Sequence, residues 1–154
     1  MPNWCRNRVT ISSNNYDDDS QFKELVKKFK SDRPFNSILP QPDWKNIKNE
    51  DGELPVIREQ KNQDGEVIFT TSEFPKSGKN DDRWYDWANA YWGTKWDIHD
   101  IEVDEDEEYA EFEFQTAWCP AEGIFHKIKQ DYPDVAISWF YDEPGCELAG
   151  YLPN

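Results

Sequence analysis

The sequence has few of the residues and patterns that commonly mark catalytic or metal sites. Its 154 residues include two histidines, His99 and His126, and no HExxH pattern joins either of them to a carboxylate. A glycine-rich phosphate loop and a GxSxG nucleophile elbow are also lacking. The 32 acidic residues are so numerous that choosing a catalytic pair among them is arbitrary. We therefore expect no catalytic residues, no cofactor and no metal site.

Cysteine is scarce as well. The three cysteines, Cys5, Cys119 and Cys146, are odd in number, lie far apart and form no CxxC pair. This spacing argues against a disulfide framework and against a thiolate metal cluster. We expect all three to be buried free thiols.

Positive charge and long apolar runs are equally scarce. Lysine and arginine number 17 against 32 acidic residues, which gives a formal net charge of −15. A chain without a basic surface is not drawn to nucleic acid or to an anionic membrane. No segment approaches the roughly 20 apolar residues of a membrane span, and MPNWCRNRVTI lacks the apolar core of a signal peptide. These absences predict a cytoplasmic protein with no membrane association and no direct binding of nucleic acid.

Aromatic residues, by contrast, are abundant and make up 16% of the chain. Four of the eight tryptophans fall in one short stretch, WYDWANAYWGTKW, residues 84–96. A chain of this length buries roughly two thirds of the surface that its unfolded form would expose. We therefore predict a single domain over residues 1–154, with its apolar area concentrated in large rings.

Residue periodicity predicts the elements of secondary structure. Apolar or small side chains alternate with polar ones from Cys5 to Ser12, as in a half-buried strand. Apolar residues at i, i+3, i+4 and i+7 predict helices, the first of them over 22–29. The predicted strands are 5–12, 96–103, 109–115, 135–142 and 147–152, and the predicted helices are 22–29, 84–93 and 120–131. The acidic run 104–108 is predicted to connect two of these strands.

Residues 33–83 form an irregular polar segment that we interpret as an insertion after the first helix. Five prolines are spread there among charged and amide residues. Within the segment, PVIREQ and EVIFTT flank KNQDG, whose Asp64-Gly65 pair is a turn signal. A short β-hairpin is therefore predicted inside the insertion.

Without that insertion the elements follow the order β-α-β-β-α-β, with a short C-terminal strand. This is the split βαβ plan of ferredoxin-like folds, an α+β class in which two helices cover one face of an antiparallel sheet. In that plan the first and third core strands are neighbours, so Arg6 and Arg8 should lie beside Glu111 and Glu113. An RNA-recognition module would instead carry stacking aromatic residues on these strands.

Four blocks of the sequence occur in order along the chain: MPNWCRN, YWGTKWD, FQTAWCP and YDEPGCELAG. Together they resemble the YubB ferredoxin-like domain family, small proteins encoded largely by bacteriophages, plasmids and their bacterial hosts. The resemblance runs from residue 2 to about 150 and departs from the family pattern in residues 44–83 and at Cys119. It implies a ferredoxin-like fold and a mobile-element setting, and it implies no established reaction, cofactor or substrate.

The tryptophan-rich stretch allows two interpretations. In the first, four of its rings pack the insertion against the sheet: Trp84, Trp87, Tyr91 and Trp96. In the second, rings and polar groups at the ends of elements form a ligand pocket, with Lys95 as its nearby cation. That predicted pocket comprises Trp4, Trp92, Gly93, Thr94, Lys95, Trp118, Pro120, Glu143 and Gly145.

The net charge supports the leading functional hypothesis, a non-catalytic acidic binding protein that engages a basic or nucleic-acid-handling host protein. Its acidic surface would present carboxylates where that partner binds phosphates. The surface comprises Asp17, Asp18, Asp19, Asp104, Glu105, Asp106, Glu107 and Glu108. Ordinary acidity that favours solubility is the competing explanation of the same residues. Two other classes stay open, a small-ligand module and an enzyme in which Lys95 and Glu143 would be tested first.

Overall fold

The computed structural model describes residues 2–153, which divide into two compact units. One unit comprises the residues up to Pro40 together with those from Trp87 onward, and the other is Gln41–Asp86. Within the described residues the chain has four α-helices and two antiparallel sheets, so the predicted α+β class is confirmed. The single domain predicted for residues 1–154 stays a prediction.

The elements of residues 2–153 are named here in chain order. The helices are α1 (Ser20–Phe29), α2 (Pro34–Ile38), α3 (Arg83–Tyr91) and α4 (Glu122–Asp131). The strands are β1 (Trp4–Ser13), β2 (Val56–Lys61), β3 (Val67–Phe74), β4 (Lys79–Asn80), β5 (Glu102–Glu105), β6 (Tyr109–Ala117), β7 (Val135–Glu143) and β8 (Leu148–Tyr151). Single 3-10 turns occupy Trp44–Asn46 and Pro144–Cys146. None of the helices in this part of the chain is long and apolar enough to cross a membrane.

The larger unit is built on a five-stranded antiparallel sheet in the order β5-β6-β1-β7-β8. β1 is the middle strand because it pairs with β6 along one edge and with β7 along the other. β8 continues the sheet beyond β7, and β5 forms the opposite edge. The first strand of the chain therefore brings together segments that lie about a hundred residues further along.

One face of this sheet carries the hydrophobic core. The alternation of β1 turns Val9 and Ile11 to that face, where both side chains are fully buried. The apolar stripes of α1 and α4 belong to the same core, and Phe29 of α1 stacks on Phe112 of β6 with ring centroids 4.6 Å apart. The other face of β1 carries Arg6 and Arg8, which are exposed, and Thr10 and Ser12, which are half-buried.

The irregular segment predicted at 33–83 is shorter in the structure. Helix α2 precedes it, and Phe35 and Ile38 of that helix are buried in the core of the larger unit. The smaller unit, Gln41–Asp86, contains the sheet β2-β3-β4. β2 and β3 pair as an antiparallel hairpin, which confirms the hairpin predicted around Asp64-Gly65. The proline-rich sequence did not indicate this short helix. Pro34 occupies the first turn of the helix, where proline is well tolerated.

Helix α3 buries a different face from the one predicted. Within the helix Ala88 is the buried residue, and Trp92, four residues further on, continues the same row at 1% exposure. Trp84 and Tyr91 are 38% and 55% exposed, and Trp96 is 39% exposed. Of the four rings interpreted as packing residues, Trp87 is partly buried and packs against the core. The interpretation is wrong for the other three, which are exposed.

Trp92 is a core residue, held by packing and by a hydrogen bond. Its ring meets Phe35 edge-on with centroids 5.9 Å apart, and its Nε1–H donates to the carbonyl oxygen of Leu39 at 2.8 Å. Gly93 follows with a φ of +89° and donates its N–H to the carbonyl of Ala88 at 3.1 Å. A glycine in this left-handed conformation ends the helix, in agreement with the predicted end at residue 93.

The strand predicted at 96–103 begins later in the structure. β5 starts at Glu102 and takes Asp104 and Glu105 from the acidic run predicted as a connection. Before it, the Asp97 carboxylate accepts three backbone N–H groups at 2.8–3.0 Å, two of them in the first turn of α2. The first N–H groups of a helix have no partner within the helix. By accepting those of Phe35 and Asn36, the Asp97 carboxylate stabilises the start of α2 and holds its own segment in a loop.

Candidate binding site on the open face of the sheet

The polar face of the five-stranded sheet forms an open cleft of about 800 Å³. The central strand β1 provides its floor, since strand alternation turns Trp4, Arg6 and Arg8 away from the core. All three side chains are exposed. The residues that line the cleft all belong to the larger unit.

Arg8 lies between an acid and an aromatic ring. Its cross-strand partners are Glu113 of β6 and Phe140 of β7. The guanidinium carbon lies 5.3 Å from the centroid of the Phe140 ring, which is a cation–π contact. The predicted proximity of Arg8 to Glu113 is confirmed, whereas the register puts Glu111 opposite Thr10.

Arg6 lies two residues before Arg8 on the same face. Its cross-strand partners are Gln115 of β6 and Asp142 of β7. Among the ion pairs of residues 2–153, none includes Arg6 or Arg8. Both guanidiniums therefore keep hydrogen-bond donors available to a molecule that enters the cleft.

Aromatic side chains border the arginines. The rings of Trp4 and Trp96 meet at a centroid distance of 6.0 Å with an angle of 38° between their planes. The ammonium of Lys95 lies 4.1 Å from the Trp96 ring centroid. On the side of β7, the rings of Phe140 and Tyr151 lie 5.3 Å apart.

Carboxylates border the arginines on the opposite side. Glu102 of the edge strand β5 faces Glu113 of β6, and both line the cleft. The order across the sheet is therefore carboxylates on β5 and β6, guanidiniums on β1, and aromatic rings together with Asp142 on β7 and β8. We call these the acidic strip (Glu102 and Glu113) and the arginine strip (Arg6 and Arg8).

Of the pocket predicted from the sequence, Trp4 lines this cleft and Lys95 reaches it through its contact with Trp96. Trp92 and Thr94 are 1% and 0% exposed, so they form no pocket wall. The Thr94 hydroxyl donates to the carbonyl of Ala117 at 2.9 Å. These two residues hold the core together and do not face a ligand.

The remaining predicted pocket residues lie at junctions between elements. Trp118 has a φ of +70° and donates its N–H to the carbonyl of Asn3 at 2.8 Å. Gly145 also approaches Asn3, since a Cβ atom at Gly145 would lie 2.9 Å from its side-chain nitrogen. Gly93 packs against the backbone of Pro120 in the same way. The contacts with Asn3 connect the ends of β1, β6 and β7, and the contact of Gly93 connects the end of α3 to the start of α4. Trp118, Gly145, Gly93 and Pro120 do not line the cleft.

Glu143 lies near the three cysteines and accounts for part of their titration behaviour. It is 6% exposed and accepts a hydrogen bond from the Cys146 thiol at 3.2 Å, which raises the pKa of Cys146. Burial raises the pKa of Cys5 to about 11, and burial followed by Glu143 raises the pKa of Cys119. All three thiols are therefore protonated at neutral pH and poorly nucleophilic.

The prediction that all three thiols are buried is wrong for two of them. Cys5 is buried, but Cys119 and Cys146 are exposed. Cys119 follows β6, and its thiol donates to the carbonyl of Gly93 at 2.9 Å, so the sulfur is partly shielded from water although the residue is exposed. Cys146 lies in the turn Pro144–Cys146 after β7. Within residues 2–153, no group of three or more histidine, cysteine, aspartate or glutamate side chains is placed to hold a metal ion.

The sheet register brings the two parts of the predicted acidic surface to one end of the sheet. Ser12 of β1 faces Tyr109 of β6, so the loop after β1 and the turn between β5 and β6 leave at the same end. Some of the charges already have local partners, because Lys23 pairs with Asp19 at 3.3 Å and Lys30 pairs with Glu105. Two further carboxylates accept backbone N–H groups in their own turns: Asp18 and Asp106.

Sequence reasoning missed most residues of the cleft. Arg6 and Arg8 were expected to neutralise acids, although two arginines on the solvent face of one strand also signal a binding surface. Trp96 was assigned to the packing residues and Trp92 to the pocket. In the structure Trp92 is the buried residue, and Trp96 is exposed beside Trp4. Phe140 carried no signal, because its place beside Arg8 depends on strand register.

Similarity to known proteins covers the C-terminal part of the chain. Residues 91–153 match a family described as "Ferredoxin-like domain in Api92-like protein". No curated protein and no solved structure matches the chain. The matched residues include four of the five strands of the larger sheet, all except β1. The ferredoxin-like class predicted for this region is confirmed, and the name of the matching family differs from YubB.

Proposed function

We propose that this protein is a non-catalytic binding protein whose ligand site is the open cleft of the five-stranded sheet. The observation that carries the proposal is the arginine strip on the central strand. In a chain with a net charge of −15, these two guanidiniums are exposed, take part in none of the ion pairs of residues 2–153, and lie beside aromatic rings. A concave site with aromatic walls and a few converging polar groups is the usual form of a small-ligand site.

A non-catalytic role is supported by the state of the candidate reactive groups. The raised pKa values of the three thiols leave them without the thiolate that acts as a nucleophile. The residues first chosen for a catalytic test have other partners, since Lys95 stacks on Trp96 and Glu143 accepts a hydrogen bond from Cys146. Neither arrangement activates a group for proton or group transfer.

The same proposal places the protein in the cytoplasm and among YubB-type proteins of phages or plasmids. The support is the order of the four sequence blocks, three of which lie within the match at residues 91–153. Three free cysteines suit a reducing compartment.

A ligand screen on two variants tests the cleft as the binding site. We expect compounds that bind the wild type, detected by ligand-observed NMR, to bind Trp4→Ala at least tenfold more weakly, because the exposed indole supplies contact area. Tyr16→Ala is the matched control, since Tyr16 is a fully exposed ring in the loop after β1. Compounds whose affinity is unchanged in Trp4→Ala and Arg6→Gln would place the site elsewhere, and a screen without binders would contradict the proposal.

A second candidate function is the capture of a basic host protein by the acidic surface. The observation that favours it is the position of both acidic runs at one end of the sheet. Converging carboxylates raise the local negative potential and steer a cationic partner.

Charge reversal tests this second function. Tagged protein is purified from a bacterial lysate at low salt and eluted with rising salt. We expect a stoichiometric basic or nucleic-acid-handling protein with the wild type and its loss with Glu107→Lys/Glu108→Lys, two exposed acids. Glu50→Lys/Asp51→Lys in the smaller unit carries the same charge change as a control. Recovery of the protein alone, or equal retention by both variants, would refute capture through this surface.

A further inference from the structure

We propose that the cleft recognises a small aromatic zwitterion of the α-amino-acid type, with a carboxylate and an ammonium on neighbouring atoms. This inference rests on the proposed function and names the chemical class of its ligand. The cleft presents both complementary charges side by side, because Arg8 and Glu113 are direct cross-strand partners. Side chains opposite each other in an antiparallel pair have Cβ atoms about 4.5–5.5 Å apart. The two groups form no ion pair with each other among the described residues.

A ligand that carries only negative charge fits the cleft poorly. The arginine strip attracts it, but the acidic strip and Asp142 line the same cleft. Five carboxylates line the cleft against two guanidiniums: Asp97, Asp100, Glu102, Glu113 and Asp142. This leaves a net negative charge, in a protein whose total charge is −15. Repulsion between like charges is several times stronger in a partly dehydrated cleft than in bulk water. Phosphates and nucleotides are therefore disfavoured.

A ligand that carries only positive charge meets the opposite difficulty. It would approach the acidic strip but would also cover Arg6 and Arg8, which lie on the floor of the cleft. Covering a guanidinium removes it from water, and this is costly unless a new partner accepts its hydrogen bonds. A simple amine provides no such acceptor.

A zwitterion satisfies both sets of groups at once. Arg6 and Arg8 are two positions apart on one strand face, about 6.6–6.8 Å along the strand, so one carboxylate can accept hydrogen bonds from both long side chains. Glu113 lies next to Arg8, and Glu102 lies next to Glu113, so an ammonium on the adjacent carbon faces the acidic strip. No charge of the ligand is then left without a partner.

The ring of the ligand is placed by the available aromatic surface. The face of Phe140 is occupied by the Arg8 guanidinium at 5.3 Å. Trp4 lies two residues before Arg6 on the same strand face, is 44% exposed and lies against Trp96. An aromatic side chain attached to the charged carbon can reach the Trp4 indole and pack in an offset or edge-on arrangement.

Four probes that share one phenyl ring test the charge requirement. L-Phenylalanine carries both charges, 3-phenylpropionate only the negative charge, phenethylamine only the positive charge, and N-acetylphenylalanine amide neither. Affinities are measured by isothermal titration and by the shifts of the Trp4 and Trp96 indole N–H signals in NMR. We expect L-phenylalanine to bind at least tenfold more tightly than each of the other three.

Two charge-neutralising variants assign the charges to residues. Arg8→Gln should weaken the binding of L-phenylalanine at least tenfold and raise the affinity for phenethylamine relative to that for L-phenylalanine. Glu113→Gln should instead raise the relative affinity for 3-phenylpropionate. Lys27→Gln, on the exposed side of α1, removes one charge outside the cleft and should leave all four affinities unchanged. These opposite changes of preference cannot arise from a general loss of folding.

The outcomes separate this inference from the proposed function. If 3-phenylpropionate or phenethylamine binds as tightly as L-phenylalanine, the zwitterion is refuted while the cleft remains a binding site. If none of the four probes binds, the zwitterion is refuted, and the Trp4→Ala screen alone decides whether the cleft binds another class of ligand. Equal weakening of all charged probes by both variants would also refute it.

Discussion

Gly123→Ala is expected to cost about 3–5 kcal/mol of folding free energy, a loss at the upper end of those caused by overpacking. A Cβ atom at Gly123 would lie 1.8 Å from the carbonyl oxygen of Tyr91 and 3.0 Å from the carbonyl carbon of Trp92. Both neighbours are backbone atoms, which cannot turn aside as a side chain can. Relief needs a separation of more than 1 Å, and this would break the hydrogen bond from the Gly123 N–H to the carbonyl of Trp92, now 3.0 Å long.

Helix propensity predicts the opposite result for the same change. Gly123 lies in the first turn of α4, and alanine is favoured over glycine in helices by about 1 kcal/mol. Urea unfolding followed by circular dichroism distinguishes the two expectations. Gly65→Ala is the control, because no atom lies within 4 Å of the new Cβ. Its expected destabilisation is limited to the strain of a left-handed backbone conformation, roughly 1–2 kcal/mol. A Gly123→Ala protein as stable as the wild type would show that the two backbones can separate at little cost.

Arg83 connects several residues of the smaller unit, and Arg83→Met is expected to destabilise this unit by about 3 kcal/mol. The guanidinium holds the Asp81 carboxylate with two hydrogen bonds, at 2.8 and 2.9 Å, and donates to the carbonyl of Trp44 at 3.0 Å. It also lies 5.0 Å from the ring centroid of Trp44 and 5.3 Å from that of Phe74. Methionine keeps much of the stem but leaves the Asp81 side chain, 4% exposed, without its cation.

Hydrogen exchange within residues 41–86 measures this effect, and Arg58→Met is its control. Arg58 pairs with Glu73 at 3.9 Å while 65% exposed, so its loss should cost less than about 1 kcal/mol. Acid provides a second test, because hydrogen bonds from Arg83 lower the pKa of Asp81. The stabilisation is complete above about pH 4, the pKa of an aspartate in the unfolded chain. It is lost as the pH falls through the lower pKa that Asp81 has in the folded protein. The difference in stability between the wild type and Arg83→Met should therefore shrink in acid. A difference in stability that does not change with pH would contradict the ion pair as its cause.

The parts of the fold that follow a regular period could be predicted from the sequence. The alternation of β1, the apolar stripe of α1 and the apolar positions of α4 all reappear as buried faces. The hairpin of the smaller unit was found from Asp64-Gly65, a signal contained in a few adjacent residues. Such patterns need no knowledge of distant partners, which is why they can be recognised in one sequence.

The parts that depend on distant partners could not be predicted. Asp97 keeps the chain out of a strand because its carboxylate reaches backbone N–H groups of Phe35 and Asn36, about sixty residues away. Trp92 is buried because α2 supplies the ring of Phe35 and Leu39, the residue after α2, supplies a carbonyl acceptor. The composition of the cleft likewise depends on which residues of β6 and β7 face Arg6 and Arg8.

The edge strand β5 has a consequence for how copies of this protein behave at high concentration. An edge strand exposes unpaired backbone groups that can join the sheet of another molecule and start aggregation. Three of the four residues of β5 are acidic, Glu102, Asp104 and Glu105, and all four are exposed. Two such edges that approached each other would bring carboxylates against carboxylates, so the charge of β5 protects the sheet from lateral growth.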